Sequence, residues 1–208
     1  MAFGPNRSLD WKRNYGILTI NPVRSNDLWG LGLQTNQKTE RYGTYSNGEG
    51  QDSPVGERCF LAENATLAGD ITMGDDCSVW FGAVVRADVD AVVVGNRVNI
   101  QDCACVHQTA GAPVVLEDDV SIGHGAVVHA CTVRRGALIG MNAVVLDKAD
   151  IGEQAIIAAG AVVLAGSQVG PREIWAGVPA RKVKAAPEGQ ALEYAEHYMY
   201  IKEWYREP

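Results

Sequence analysis

From Leu61 onward an aliphatic residue returns at every sixth position: Leu61, Leu67, Met73, Val79 and Val85. An α-helix repeats at about 3.6 residues and an extended strand at about 2, so a sustained period of six belongs to neither. It fits a short strand followed by a turn, repeated. Four places after each aliphatic residue comes one that is mostly small, at Ala65, Ile71, Cys77 and Ala83. The register resumes at Val94 after three extra residues and runs through Ile100 and Val106. It breaks over the loop from Gln108 to Val115 and restarts at Leu116, Ile122 and Val128. One step of five leads to Val133, and Ile139, Val145, Ile151, Ile157, Val163 and Val169 follow. Three such steps close one triangular coil, and stacked coils make a parallel β-helix in which each contacts its neighbours. The predicted fold is an all-β solenoid of hexapeptide repeats.

Three of the four histidines, His107, His124 and His129, fall in the stretch from Val106 to Ala130. Three imidazoles can hold one divalent metal and leave a position open for water, the ligand set of a catalytic zinc site. The register tests this. His107 directly follows the core position Val106, and His129 directly follows Val128, one full coil later. These two therefore stack on one outer face, separated by roughly the 4.8 Å between paired strands. Arg86 falls in the same column one coil earlier. His124 comes two residues after Ile122, on the adjoining face, with Asp102 stacked under it and Gln101 under Gly123. It is poorly placed to close a site with His107 and His129 in one prism. A neighbouring subunit would have to supply the missing ligand, which on a three-sided prism points to a cyclic trimer. Zinc fits three imidazoles, and ferrous iron and cobalt also accept them.

These motifs carry a resemblance. The segments VWFGAVVRAD (79–88), VNIQD (98–102), VH (106–107), SIGHGAVVH (121–129) and IWAGVPARKV (174–183) are similar to those of the γ-class carbonic anhydrases and their close relatives. The resemblance covers about Phe60 to Tyr205. It implies a left-handed β-helix with a C-terminal α-helix, assembled as a trimer. The metal site would lie between subunits, with His107 and His129 from one chain and His124 from the next. Arg86 and Asp102 match an ion pair across that interface, and Asp88 belongs to the same motif. Asn99 and Gln101 match polar residues beside the metal-bound water, with Gln101 orienting it. The implied reaction is hydration of carbon dioxide to bicarbonate by a hydroxide that the metal makes available near pH 7. Two departures bear on turnover. The acidic residue expected after Asp88 is Val89, and the acidic loop expected after His107 is replaced by residues 108–112, QTAGA, which hold no carboxylate. Those carboxylates carry protons away in the typical member.

The resemblance leaves three functional classes: a free-standing carbonic anhydrase, a structural subunit of a larger assembly, and a hexapeptide acyltransferase using a single histidine and acyl-coenzyme A. The full histidine set and the RAD and NIQD motifs count against the third. For the second, the family includes subunits of mitochondrial respiratory complex I with an extended N-terminus and a long C-terminal helix. That implies a homo- or heterotrimer of related subunits, held with other subunits of a large membrane complex on the matrix side of the inner mitochondrial membrane. The cytoplasm is the alternative location.

A formal charge of −7 argues against a nucleic-acid binder. No apolar run approaches the roughly 18–20 residues of a membrane span. The five cysteines are odd in number and form no CxxC pair, so a disulfide framework is not expected and a reducing compartment is. Cys77 sits at an inward position of the repeat and is read as core.

Three segments result: an N-terminal extension over 1–56, the β-helix over 57–170, and a C-terminal segment with a helix over 171–208. The extension shows no hexad register. Its polar run from Gln34 to Pro54 predicts an irregular arm, while Trp11, Tyr15, Leu28 and Trp29 offer groups to dock on a partner. Arg7, Lys12, Arg13 and Arg24 against Asp10 are also compatible with organelle targeting. At the other end, Glu188 to Glu207 predicts one helix that packs through Tyr194, Tyr198, Ile201 and Tyr205. His197 lies off that stripe and is read as solvated. Trp80 and Trp175 are read as packing residues.

Overall fold

A computed structural model of the chain describes residues 55–205 and the strand Thr44–Tyr45. The rest of the N-terminal extension, with the residues read as docking or targeting groups, lies outside the described residues. From Val55 on, the chain winds as a three-sided parallel β-helix. Each hexad position points inward, and the following residue points out of the prism.

The three faces are three hydrogen-bonded columns. On the first, Leu67, Val85, Val106, Val128, Val145 and Val163 stack in register. On the second the column is Met73, Val94, Leu116, Val133, Ile151 and Val169. On the third it is Leu61, Val79, Ile100, Ile122, Ile139 and Ile157, continued by Trp175. The inward residues from Leu67 to Val169 are buried, most of them completely. Burying each such aliphatic side chain contributes about 1.5–3 kcal/mol, which is why the hexad position tolerates little else. The first two faces join into one 11-stranded sheet, because the strands Thr66–Met73 and Val84–Val94 run unbroken around the corner between them. The third face is an 8-stranded sheet whose last member, Arg181–Ala185, is antiparallel.

Every departure from a step of six falls on the corner between the first and second faces. The chain takes nine residues from Val85 to Val94, ten from Val106 to Leu116 and five from Val128 to Val133. The other two corners keep six throughout. The ladder also begins earlier than the hexad register predicts: Val55 bridges Met73, and Thr44–Tyr45, within the polar run expected to be irregular, pairs with Leu67 and Ala68.

The corner between the second and third faces carries a charge ladder. Arg58, Asp76, Arg97 and Asp119 occupy successive coils, each in the left-handed region. Arg58 donates to both oxygens of Asp76 at 3.0 and 2.7 Å, and Arg97 to both oxygens of Asp119 at 2.6 and 2.9 Å. Left-handed backbone costs a non-glycine residue about 1 kcal/mol or more, and these two-point pairs offset part of that.

The C-terminal helix is shorter than expected, Leu192–Ile201, with a 3-10 turn at Lys202–Tyr205. Of the four residues expected to pack, Tyr198 is buried, Ile201 is partly buried against the core and Tyr205 packs through its ring, and the buried face also takes in small and charged residues. Ala191, Ala195, Tyr198 and Lys202 are buried, whereas Tyr194 and Tyr205 are half exposed. The four aromatic or aliphatic residues suggested a stripe by size alone. Ala191 and Ala195 lie against the coils together with one tyrosine and one lysine. Tyr205 still packs, its ring lying 5.3–5.7 Å from those of Phe60, Trp80 and Phe81. Trp80 is buried in that cluster, as expected of a packing residue. Cys77 is buried, in line with its reading as core. No helix among the described residues is long and apolar enough to cross a membrane.

Candidate metal centre

Arg86, His107 and His129 are in register on neighbouring coils of the first face, as the repeat predicts. The strands Cys105–His107 and Val127–His129 hold both rings at the end of that face, beside the variable corner. His107 Nδ1 lies 3.2 Å from His129 Nε2. Each ring is gripped from its far side. His107 Nε2 meets Asp88 Oδ1 at 3.1 Å, and His129 Nδ1 meets Asp147 Oδ1 at 2.7 Å. An ionised carboxylate only accepts hydrogen bonds, so in the neutral rings the proton lies on the carboxylate side. The two facing nitrogens are then both lone pairs, which repel at 3.2 Å unless a cation lies against them. Two imidazole nitrogens at about 2.0–2.1 Å from one tetrahedral ion are themselves about 3.3 Å apart. The pair therefore fits two ligands of one metal ion.

His124 occupies the turn between the third and first faces, not the face itself, because two residues past Ile122 is already the corner. Gly125 holds that turn with φ +67°. His124 Nδ1 lies 2.8 Å from Asp102 Oδ2, and its Nε2 3.3 Å from the Tyr198 hydroxyl. Five residue steps lead from His124, through the turn at Gly125, along the strand Val127–His129 to His129 at the far end of the first face. The strand part alone, at about 3.3 Å per residue, carries the chain well beyond the roughly 3.3 Å that separates two nitrogens on one ion. Accordingly, no group of three or more metal-binding side chains converges among the described residues.

Arg86 and Asp102 do not pair within the chain. Arg86 donates to Asp88, and Asp102 holds His124. The Arg86 guanidinium, and after it His107, keeps the Asp88 carboxyl below its ordinary range. Burial, reinforced by the Asp102 charge, pushes the Tyr198 hydroxyl up to about 12, so it stays a neutral donor. Asn99 and Gln101 are buried and rigidly tied. Gln101 Nε2 donates to Asn99 Oδ1 at 2.9 Å and its Oε1 accepts from the His124 backbone at 3.2 Å, while Asn99 donates to Ser121 at 2.7 Å. Gln101, His124 and Tyr198 line one side of an apolar groove of about 350 Å³ beneath the helix. His197 is exposed at the same groove, edge-on to Tyr198.

Asp147 and the hydroxyl of Tyr198 are site groups that the hexad reading does not find. Coil counting puts Leu146 above His129, so Asp147, one residue further and on the turn, escapes it. Tyr198 reads as a packing residue because nothing in the helix periodicity says which coil it meets.

Residues 130–165 match the bacterial transferase hexapeptide family (six repeats). A protein from Methanocaldococcus jannaschii named "Probable carbonic anhydrase" is 44% identical over 149 residues, covering 71% of this chain and 94% of that one. Gamma carbonic anhydrase 1, mitochondrial, from Arabidopsis thaliana is 36% identical over 151 residues, 70% of this chain. The chain spans 55% of the Arabidopsis protein's length, and 58% of that of a carbonic anhydrase from Geobacillus kaustophilus. Among solved structures, a hexapeptide transferase family protein from Anaplasma phagocytophilum superposes with a TM-score of 0.72 at 35% identity, covering 76% of this chain and 95% of that one. The fold is the left-handed β-helix of hexapeptide-repeat proteins. The chain belongs to the γ-carbonic-anhydrase-like family of such proteins.

Proposed function

We propose that the protein is a γ-type carbonic anhydrase that hydrates carbon dioxide to bicarbonate at sites between the subunits of a trimer. The observation that carries this reading is the facing pair His107 Nδ1 and His129 Nε2, 3.2 Å apart and each backed by a carboxylate. His124 of a neighbouring subunit completes the ligand set, since its own corner lies too far from the pair. Zinc is the metal proposed, with ferrous iron or cobalt as substitutes. Such an ion supplies a hydroxide nucleophile at neutral pH.

The chain's own residues do the rest. Asp88, Asp102 and Asp147 each fix one histidine ring. Arg86 holds Asp88 and, across the interface, meets the Asp102 carboxylate of the neighbour. Gln101, tied to Asn99 and the His124 backbone, orients the attacking water. Asp102 engages His124 Nδ1, so Nε2 is the nitrogen left for the ion, and the Tyr198 hydroxyl that caps it gives way when the ion binds. Proton release has no carboxylate at Val89, which is exposed, or in residues 108–112, where Gln108 is buried. Protons therefore leave by way of solvent buffer.

Purified protein should contain about one divalent ion per chain and hydrate carbon dioxide in a stopped-flow assay. His107→Ala or His129→Ala should lose both. A metal-free wild-type trimer would refute the site.

The missing carboxylates favour a second reading for the same fold, a structural subunit of a larger assembly with slow turnover. The likeness to the Arabidopsis protein named mitochondrial supports placing that assembly in the mitochondrion, with respiratory complex I on the matrix side of the inner membrane as the proposed partner. Native electrophoresis of source membranes followed by mass spectrometry separates the two. Co-migration with respiratory subunits supports the assembly role, and recovery only as a trimer supports the free-standing enzyme.

A further inference from the structure

Asp147 is absent from the motif set that identifies this family of sites, yet it makes the shortest hydrogen bond to any of the three histidine rings, 2.7 Å from Oδ1 to His129 Nδ1. It belongs to the coil above His129 and sits on a well-tied turn. The next residue, Lys148, is left-handed, and its N–H donates to the Ala130 carbonyl at 2.6 Å, while the Asp147 carbonyl accepts from Gly166 N–H at 2.8 Å. The carboxylate is thus delivered by backbone hydrogen-bonded to the coils below and above. Its position does not depend on a flexible loop. Asp88, the counterpart on His107, stands on the corner that varies in length and is shared with Arg86.

We propose that Asp147 is a positioning residue that fixes His129 as the Nδ1–H tautomer and so presents the Nε2 lone pair to the ion. The inference rests on the metal reading given above and deepens it. Histidines that bind metals commonly donate their other ring N–H to a carboxylate or carbonyl, which orients the ring and raises its basicity. Here the geometry adds a specific asymmetry. His129 offers Nε2 and His107 offers Nδ1, so the two facing nitrogens come from opposite ring positions. If His129 adopted the other tautomer, its Nε2–H would point at His107 Nδ1 and donate a hydrogen bond across the 3.2 Å gap. The pair would then satisfy itself and exclude the ion. Asp147 is the group that blocks this self-pairing.

Two measurements test it on the full-length protein. Heteronuclear NMR of the metal-free protein with labelled histidine reads the tautomer directly. Wild type should show His129 protonated at Nδ1, and Asp147→Ala should shift it toward Nε2–H. Zinc titration against a competing chelator reads affinity. Asp147→Ala should bind about 10–100-fold more weakly, with unchanged circular dichroism and assembly. Asp150→Ala removes the same charge from the second face, where Asp150 pairs with Arg134, and should bind zinc as wild type does. That control separates positioning from loss of charge. Wild-type His129 found as the Nε2–H tautomer overturns the proposal. So does wild-type affinity in Asp147→Ala while His129→Ala loses zinc, which removes the role of Asp147 and leaves the metal site standing. Undiminished zinc binding by His129→Ala removes the metal site, and the proposal with it.

Discussion

Lys202 reaches Asp76 twice across 126 residues of sequence, its ammonium donating to the Asp76 carbonyl at 3.0 Å and to Oδ1 at 3.2 Å. A third bond, also 3.0 Å, goes to the Arg58 carbonyl. The lysine is 1% exposed. A buried ammonium is costly unless its donors are satisfied, and here three acceptors from the first coils meet three donors. The contact ties the end of the C-terminal helix to the start of the solenoid.

Lys202→Met should therefore destabilise the fold by about 2–3 kcal/mol, the scale of a hydrogen bond to a charged group left unmade. Tyr198 should lose its hold on His124 at the same time. Chemical denaturation gives the first effect, and hydrogen exchange over the helix gives the second. An unchanged denaturation midpoint would contradict the anchoring role.

Asp76 itself gives a pH dependence. Its partners Arg58 first, then Lys202, lower its carboxyl to about 2. A carboxylate whose folded pKa is depressed stabilises the fold above its unfolded value near 3.9, and that stability is lost as pH falls toward the folded value. The window is about pH 4 to pH 2, and the loss is at most about 2 kcal/mol, less for the solvent that reaches the pair. Denaturation of wild type and Asp76→Asn should converge across that window. Parallel curves down to pH 2 would place the acid sensitivity elsewhere.

Arg86→Ala should weaken assembly. It removes the guanidinium that holds Asp88 and, in the proposed trimer, leaves the neighbour's Asp102 with His124 but without a cationic partner, for which the scale is up to about 3 kcal/mol. Sedimentation over a dilution series should show a smaller oligomer at higher concentration than for wild type. Retention of both assembly and metal would mean that the arginine column is not the interface.

Turnover should depend on buffer. With Val89 and residues 108–112 offering no carboxylate, kcat should rise with imidazole concentration at constant pH and ionic strength. Val89→Glu should raise kcat several-fold at low buffer and flatten that dependence. No buffer effect in the wild type would show that proton release does not limit the rate.

Much of this architecture is legible in the sequence because a period of six leaves little freedom. Once Leu67 and Val85 fix the step, the pairing of His107 with His129 and of Arg86 with His107 follows by counting. What counting cannot reach lies off the hexad positions. Asp147 meets His129 diagonally, from a turn, and only coordinates show a diagonal contact. Periodicity by size favours Tyr194, which is half exposed, and gives no place to Ala191 and Ala195, which pack. Thr44–Tyr45 pairs with Leu67 and Ala68 from within a polar run that shows no hexad register, so the sequence hides it.

The corner where steps run to nine, ten and five residues borders His107 and His129, and it is also the seam along which the prism absorbs changes of chain length. The inward columns on either side stay in register across these excursions, and where strands pair around the corner a register shift takes up the extra residues. Loop content beside the candidate site is thereby uncoupled from the stability of the scaffold. A descendant of this chain could gain or shed an entire acidic loop at that seam, and with it the speed of its chemistry, without repacking a single core residue.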